Sequence, residues 1–265
     1  MAGRRAGALL TRRCPHAVRV VLMSLRSLAN LRGGPSEHGH RSVSGGLARA
    51  AVFGVSDGLV SNVSLVLGFA GSGVDSTVVR LAGIAGAVAG AASMAAGEWV
   101  SVSAQNELVL RELEIERREH RMNTENETHE LAAMYEGHGM SAEQALISAR
   151  QVMSSPDDAL LVHAREEFGV DPTDLPSPWW AAALSLVCFL LGAAVPVLPW
   201  YLGSGDAAKV ASVLAGVVGA LIVGALIGRL AERSLSRSAV RQAFILLIAT
   251  AVTYLVGTLF DVTVL

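Results

Sequence analysis

Five long apolar stretches, interrupted once by a polar block, organise this chain. They run from Leu47 to Gly71, Val78 to Val102, Trp179 to Leu202, Ala207 to Leu230 and Val240 to Leu265. Each approaches the roughly 20 helical residues that cross a bilayer core, so each is expected to span a membrane. Between the second and third lies Ser103 to Pro178, polar throughout and far too long for a turn. The pattern predicts an all-α membrane protein. A basic tail without regular structure occupies residues 1–40, two spans fill 41–102, a helical insert fills 103–177, and three further spans fill 178–265.

Within the insert the period changes from continuous apolar to amphipathic. The second span is expected to run on as a helix through "SVSAQNELVLRELEIERREHR", where Glu112, Glu116 and Glu119 recur at i, i+4 and i+7 and share one face. A break is expected near Asn123. Glu127 and Glu130 then repeat an i, i+3 spacing on a short helix ending at "EGHG". Ser141 opens a third helix with a Ser-x-x-Gln capping box to Gln144. Ser155 as N-cap, Pro156 in the first turn and Gly169 as the stop bound a fourth. On that helix His163, Glu166 and Glu167 fall within one turn.

Composition agrees with a bilayer setting: 52% of the 265 residues are hydrophobic, 17% are charged and 27 are glycine. The charges are distributed unevenly. Nine Lys and Arg precede or include Arg49, six lie in the insert, and Arg229, Arg233, Arg237 and Arg241 join the last two spans, whereas the opposite side has Arg80 and Lys209. By the positive-inside rule the N-terminus and insert are expected in the cytosol and "DVTVL" outside. The tail's arginine-free stretch "VVLMSL" is too short for a signal-peptide core, so the tail is expected to stay, with Met23 an alternative start. Cys14 and Cys188 suggest neither a disulfide nor a ligand cluster.

Candidate chemistry follows from where charge is concentrated. Sixteen of the 23 acidic residues lie between Glu107 and Asp174, with His120, His129, His138 and His163 among them. Helices bearing such close carboxylates repel unless cations sit between them. Oxygen donors with one or two imidazoles suit Fe2+, Mn2+ or Zn2+ better than Cu+. His163 and His129, with Glu112 and Glu166, are accordingly added as candidate ligands. In the first span Asp57 carries a charge that costs about 2.5–3.5 kcal/mol on insertion scales, and such residues usually face a bundle interior or an aqueous path. Glu98 stands one turn beyond Met94 on the same face and could pass an ion inward. Gly83, Gly86, Gly90 and Gly97, and later Gly224 and Gly228, form small-residue stripes for close helix packing. Pro196 and Pro199 are expected to kink the third span. No P-loop and no defensible Ser/His/Asp set is present, and "ETHE" is not a di-iron Glu-x-x-His motif, so ATP-driven pumping and enzymatic catalysis have no support.

"SDGLVSNVSLVLGFAG", "GAASMAAGEWVSV", "ERRE", "ENETHEL" and "REEFGV" together resemble the vacuolar iron transporter family, including its bacterial members, from about His40 onward. The resemblance implies a five-helix protomer that forms a homodimer and exports Fe2+, often also Mn2+, from the cytosol in exchange for protons. It assigns the membrane site to Asp57 and Met94, and the cytosolic ligands to Glu116, Glu119, Glu127, Glu130 and Glu167. It also marks two departures: His163 and Ala164 stand where plant relatives carry paired methionines, and Gly86 stands where they tend to carry an acid.

The expected protein is thus a metal transporter in a bacterial plasma membrane, with Fe2+ or Mn2+ as cargo, Zn2+ and Co2+ as further candidates, lipid as its environment and no nucleic-acid partner. The alternative is a membrane sensor or scaffold whose acidic insert binds metal or a basic partner without transport.

Overall fold

The computed structural model describes residues 46–260, so the expectations for the basic tail, for Met23 and for the closing "DVTVL" lie outside the described residues. Among the described residues nine helices follow one another: α1 (Gly46–Gly71), α2 (Ser76–Met122), α3 (Thr124–Gly137), α4 (Ala142–Met153), α5 (Pro156–Glu167), α6 (Pro178–Val197), α7 (Pro199–Leu202), α8 (Gly205–Leu230) and α9 (Leu235–Leu259). Among the described residues, five helices are long and apolar enough to cross a membrane: α1, α2, α6 with α7, α8 and α9.

Local sequence explains where these helices start and stop. Asp75 caps α2 by accepting the Thr77 N–H at 2.7 Å, satisfying one of the donors that a helix start leaves unpaired. With 47 residues, α2 is about 70 Å long, more than twice a bilayer core. Its apolar first half belongs to the bundle and its charged second half to the insert. It stops at Asn123, whose N–H returns to the Glu119 carbonyl at 2.7 Å. Ser141 caps α4 through the Gln144 N–H, as the capping box predicts. Ser155 departs from expectation: its hydroxyl donates to the Asp158 carboxylate at 2.8 Å and takes no part in a backbone cap. Gly169 ends α5 at a φ of +65°, a conformation that disfavours any other residue.

The bundle is built around α1, which touches α2, α6, α8 and α9. Leu59, Val63, Val66 and Leu67 of α1 form the core with Val79, Trp200 and Leu246. Crossing α1 and α6 requires bare backbone. A Cβ on Gly58 would lie 2.1 Å from the Phe189 carbonyl oxygen, and one on Gly192 would lie 2.2 Å from that of Val55. Such contact is how helices associate in lipid, where apolar burial gives no preference for protein over solvent. On α2, Gly83, Gly86 and Gly90 instead make room for side chains, those of Val197, Leu65 and Phe189, but a Cβ on Gly97 meets nothing within 4 Å among the described residues. Pro196 lies inside α6, and α6 and α7 meet at Leu198, whose dihedrals stay helical at φ −53° and ψ −44°.

The insert has two small cores of its own. Leu131, Ala132, Ala145 and Ala149 join α3 to α4, and Leu113, Leu160 and Ala164 hold α5 against the extended part of α2. The return to the bundle is pinned by Arg165 on Asp171 at 2.7 Å, by Asn106 donating to the Pro176 carbonyl at 2.9 Å, and by Trp99 packed on Trp179.

Candidate metal centre

Three helices of the insert bring four ionisable side chains to one point. The extension of α2 supplies Glu116 and His120 one turn apart, α3 supplies Glu127 and α5 supplies His163; one ligand atom from each lies within 4.8 Å of all the others. Three of the four are buried, His163 at 0%, Glu116 at 5% and Glu127 at 7% exposed, while His120 is half-buried. His163 Nδ1 is 2.8 Å from Glu116 Oε1 and 3.9 Å from Glu127 Oε2, while His120 Nε2 is 3.0 Å from Glu116 Oε1. The two imidazoles stand edge to face with centroids 4.5 Å apart.

Without an ion this arrangement is electrostatically uncomfortable, and proton affinities shift accordingly. Burial, then repulsion by Glu167, Glu127 and Glu119, pushes the Glu116 carboxyl up to about 8. Burial also raises Glu127 and Glu167, with neighbouring carboxylates adding to the effect. His163 moves oppositely, to about 4, because burial and then the facing His120 oppose its charged form. His120 is likewise lowered by burial. Carboxylates resisting charge and imidazoles held neutral form a donor set ready for a cation, since neutral histidine nitrogens are ligands.

The other residues singled out in the sequence take different places. Glu119, Glu130 and Glu167 are exposed around the cluster, close enough to raise one another's or their buried neighbours' proton affinity. Glu112 is half-buried and acts on Glu167 in the same way. Glu166 faces His138 at 3.5 Å. His129 points away from the cluster, exposed and 3.5 Å from Glu125. His120 was not among the sequence-derived candidates, although it extends the Glu112, Glu116, Glu119 face by one more turn from Glu116.

In the bundle, Asp57 and Met94 line one open groove of about 900 Å³, together with Ser61, Asn62, Ser93 and Thr253. Ser61 donates its hydroxyl to the Asp57 backbone carbonyl, leaving the carboxylate exposed to the groove. Asn62, nearly fully buried, donates to the Ala193 carbonyl at 2.7 Å. Glu98, further along α2 toward the insert, pairs with Arg49 of α1 at 3.7 Å.

Five helices long and apolar enough to span a membrane, with Asp57 in a groove between them, and a carboxylate and imidazole cluster that could hold a metal ion mark an integral membrane protein. The chain belongs to the VIT family, whose model matches residues 48–258. It is similar to a protein named vacuolar iron transporter from Acanthamoeba castellanii, 37% identical over 161 residues that cover 60% of this chain and 58% of that protein. Vacuolar iron transporter 1 of Arabidopsis thaliana is 29% identical over 171 residues, 64% of this chain and 68% of its own length. Vacuolar iron transporter homolog 4 of Oryza sativa subsp. japonica is 55% identical over a shorter stretch of 67 residues, 25% of this chain and 31% of that protein. The match to the Acanthamoeba protein thus spans less than two thirds of that protein's length.

Proposed function

We propose that the protein transports divalent metal, Fe2+ first and Mn2+ second, out of the cytosol in exchange for protons and as a homodimer. Relatives named for iron transport support the metal. The observation that carries the reading is the convergence of Glu116, Glu127 and His163 from three separate helices, ringed by Glu119, Glu130 and Glu167. Such mutual repulsion is relieved by a proton on Glu116 or by a cation drawn in.

In this reading the insert lies in the cytosol, on the side of the arginine-rich connections. Exposed carboxylates gather the ion and Glu98 receives it at the start of the bundle. Asp57 and Met94 pass it along their groove, the carboxylate supplying charge and the thioether a soft contact suited to Fe2+ over Mg2+ or Ca2+. Protonation of a groove carboxylate from the far side releases the metal and couples the two flows. Uptake of Fe2+ and Mn2+ into proteoliposomes with an imposed pH gradient tests this. Accumulation that follows the gradient and is lost in Asp57→Asn is expected. Metal binding with no flux would make the protein a sensor or scaffold.

A further inference from the structure

The groove of the bundle contains one polar group whose position the transport reading leaves unused. Asn62 of α1 is 2% exposed, and its Nδ2 donates to the Ala193 carbonyl of α6 at 2.7 Å. A carbonyl only accepts, so this bond fixes which end of the carboxamide is nitrogen and which is oxygen. Oδ1 therefore points away from the Ala193 carbonyl, and it is buried without a hydrogen-bond partner among the described residues. Buried polar atoms left in that state are rare and costly.

The oxygen borders α2 at Gly86. A Cβ built on Gly86 would stand 3.2 Å from Asn62 Oδ1 and closer still to the Leu65 side chain, so glycine keeps this point open. Asn62, Leu65 and Gly86 line the same groove as Asp57 and Met94. We propose that Asn62 Oδ1 is a contact of the transported ion, a neutral station that follows Asp57 on the path away from the insert and is uncovered when Leu65 turns aside. This rests on the transport reading above and adds a specificity-determining residue to it.

Position and chemistry support a second station. Asn62 lies five residues beyond Asp57 along α1, about 7.5 Å of helix rise, on the side away from the insert. Gly86 stands eight residues before Met94, about 12 Å, on α2, which runs back toward the insert. These separations suit donors used in succession better than one shared shell. A carboxamide oxygen is a hard donor without charge. It offers Mn2+ or Fe2+ a ligand in place of hydration water and suits Mn2+ better than Zn2+, which takes nitrogen and sulfur readily. Passing from the anionic Asp57 to a neutral oxygen lets the ion leave, since a conducting path needs sites that bind well enough to be entered and weakly enough to be left.

The test is uptake of Mn2+ and of Zn2+ into proteoliposomes bearing full-length wild type, Asn62→Ala, Asn62→Asp or Asn62→Cys, each normalised to inserted protein. All three substitutions remove the bond to Ala193, but Asn62→Asp retains an oxygen. Asn62→Ala should lower Mn2+ uptake about tenfold, the scale of loss for disturbed metal surroundings, and Zn2+ uptake less. Asn62→Cys should turn the preference toward Zn2+. Asn62→Asp should keep Mn2+ uptake, with a lower KM and a slower maximal rate, because the added charge holds the ion. Equal losses of both ions in all three variants would show that Asn62 only ties α1 to α6, and would overturn the station. Wild-type uptake and preference in Asn62→Ala would overturn it too, with transport left standing. No flux of either ion in the wild type would overturn both readings. A single interhelical hydrogen bond contributes little in a membrane, so the variants are expected to insert, and one that does not leaves the other two to decide.

Discussion

His163 Nδ1 of α5 stands 2.8 Å from Glu116 Oε1 of α2, and neither atom has a hydrogen-bond partner among the described residues. The pair is held together by packing, with Leu113, Leu160 and Ala164 pressing the two helices into contact.

One consequence is a distinctive pH dependence of the metal-free insert. Glu116 rises from 4.5 to about 8 on folding, so the stability it allows is complete below about 4.5 and is lost as pH climbs toward 8. His163 falls from 6.5 to about 4, so its contribution is present above about 6.5 and is lost as pH falls toward 4. Between the two unfolded values the effects oppose each other. Hydrogen exchange of the Leu161 to Arg165 amides without metal should therefore be slowest, after correction for intrinsic rates, at mildly acidic pH and should quicken toward pH 8. Bound metal should remove the alkaline loss, because it occupies the site in place of the proton.

Histidine substitutions should separate the cluster from its surroundings. His120→Ala is expected to weaken metal loading by about tenfold or more, the scale seen for disturbed metal shells, because His120 is 3.0 Å from Glu116. His129→Ala should change loading by less than about twofold, since that ring pairs with Glu125 on the exposed face of α3, where ion pairs contribute little. Equilibrium dialysis of both variants against Zn2+ checks the contrast.

Backbone contact between α1 and α6 gives a prediction about the bundle. Gly58→Ala would drive a Cβ into the Phe189 carbonyl and is expected to destabilise by about 1–3 kcal/mol or more, as overpacking does. Gly97→Ala, which meets open space among the described residues, should leave the folded protomer intact. Unfolding in mixed micelles would show a lowered midpoint for the first variant alone.

Much of this architecture is legible in the chain. Apolar length marks the five spans, and the Glu112, Glu116, Glu119 period continues α2 beyond the membrane until Asn123. What the period cannot give is rotational phase against neighbouring helices. His120 does not stand out as a ligand in the sequence because nothing there says that α5 will cover that face of α2. His129 drew attention by its acidic neighbours, yet α3 buries the stripe through Glu127, Thr128, Leu131 and Ala132, which turns residue 129 outward. Ser155 illustrates a nearer competition, since the carboxylate of Asp158 takes the hydroxyl that the backbone would otherwise use.

Transport through the Asp57 groove is tested by measuring Fe2+ flux into proteoliposomes for wild type and Asp57→Asn, with metal bound to the insert counted in the same preparations. Asparagine keeps the size of the side chain and removes its charge, so folding and insert loading should be unchanged. Flux should fall to the level of protein-free vesicles in the variant while the wild type accumulates metal. Equal flux in the two proteins, with the insert equally loaded, would show that the ion does not pass by Asp57.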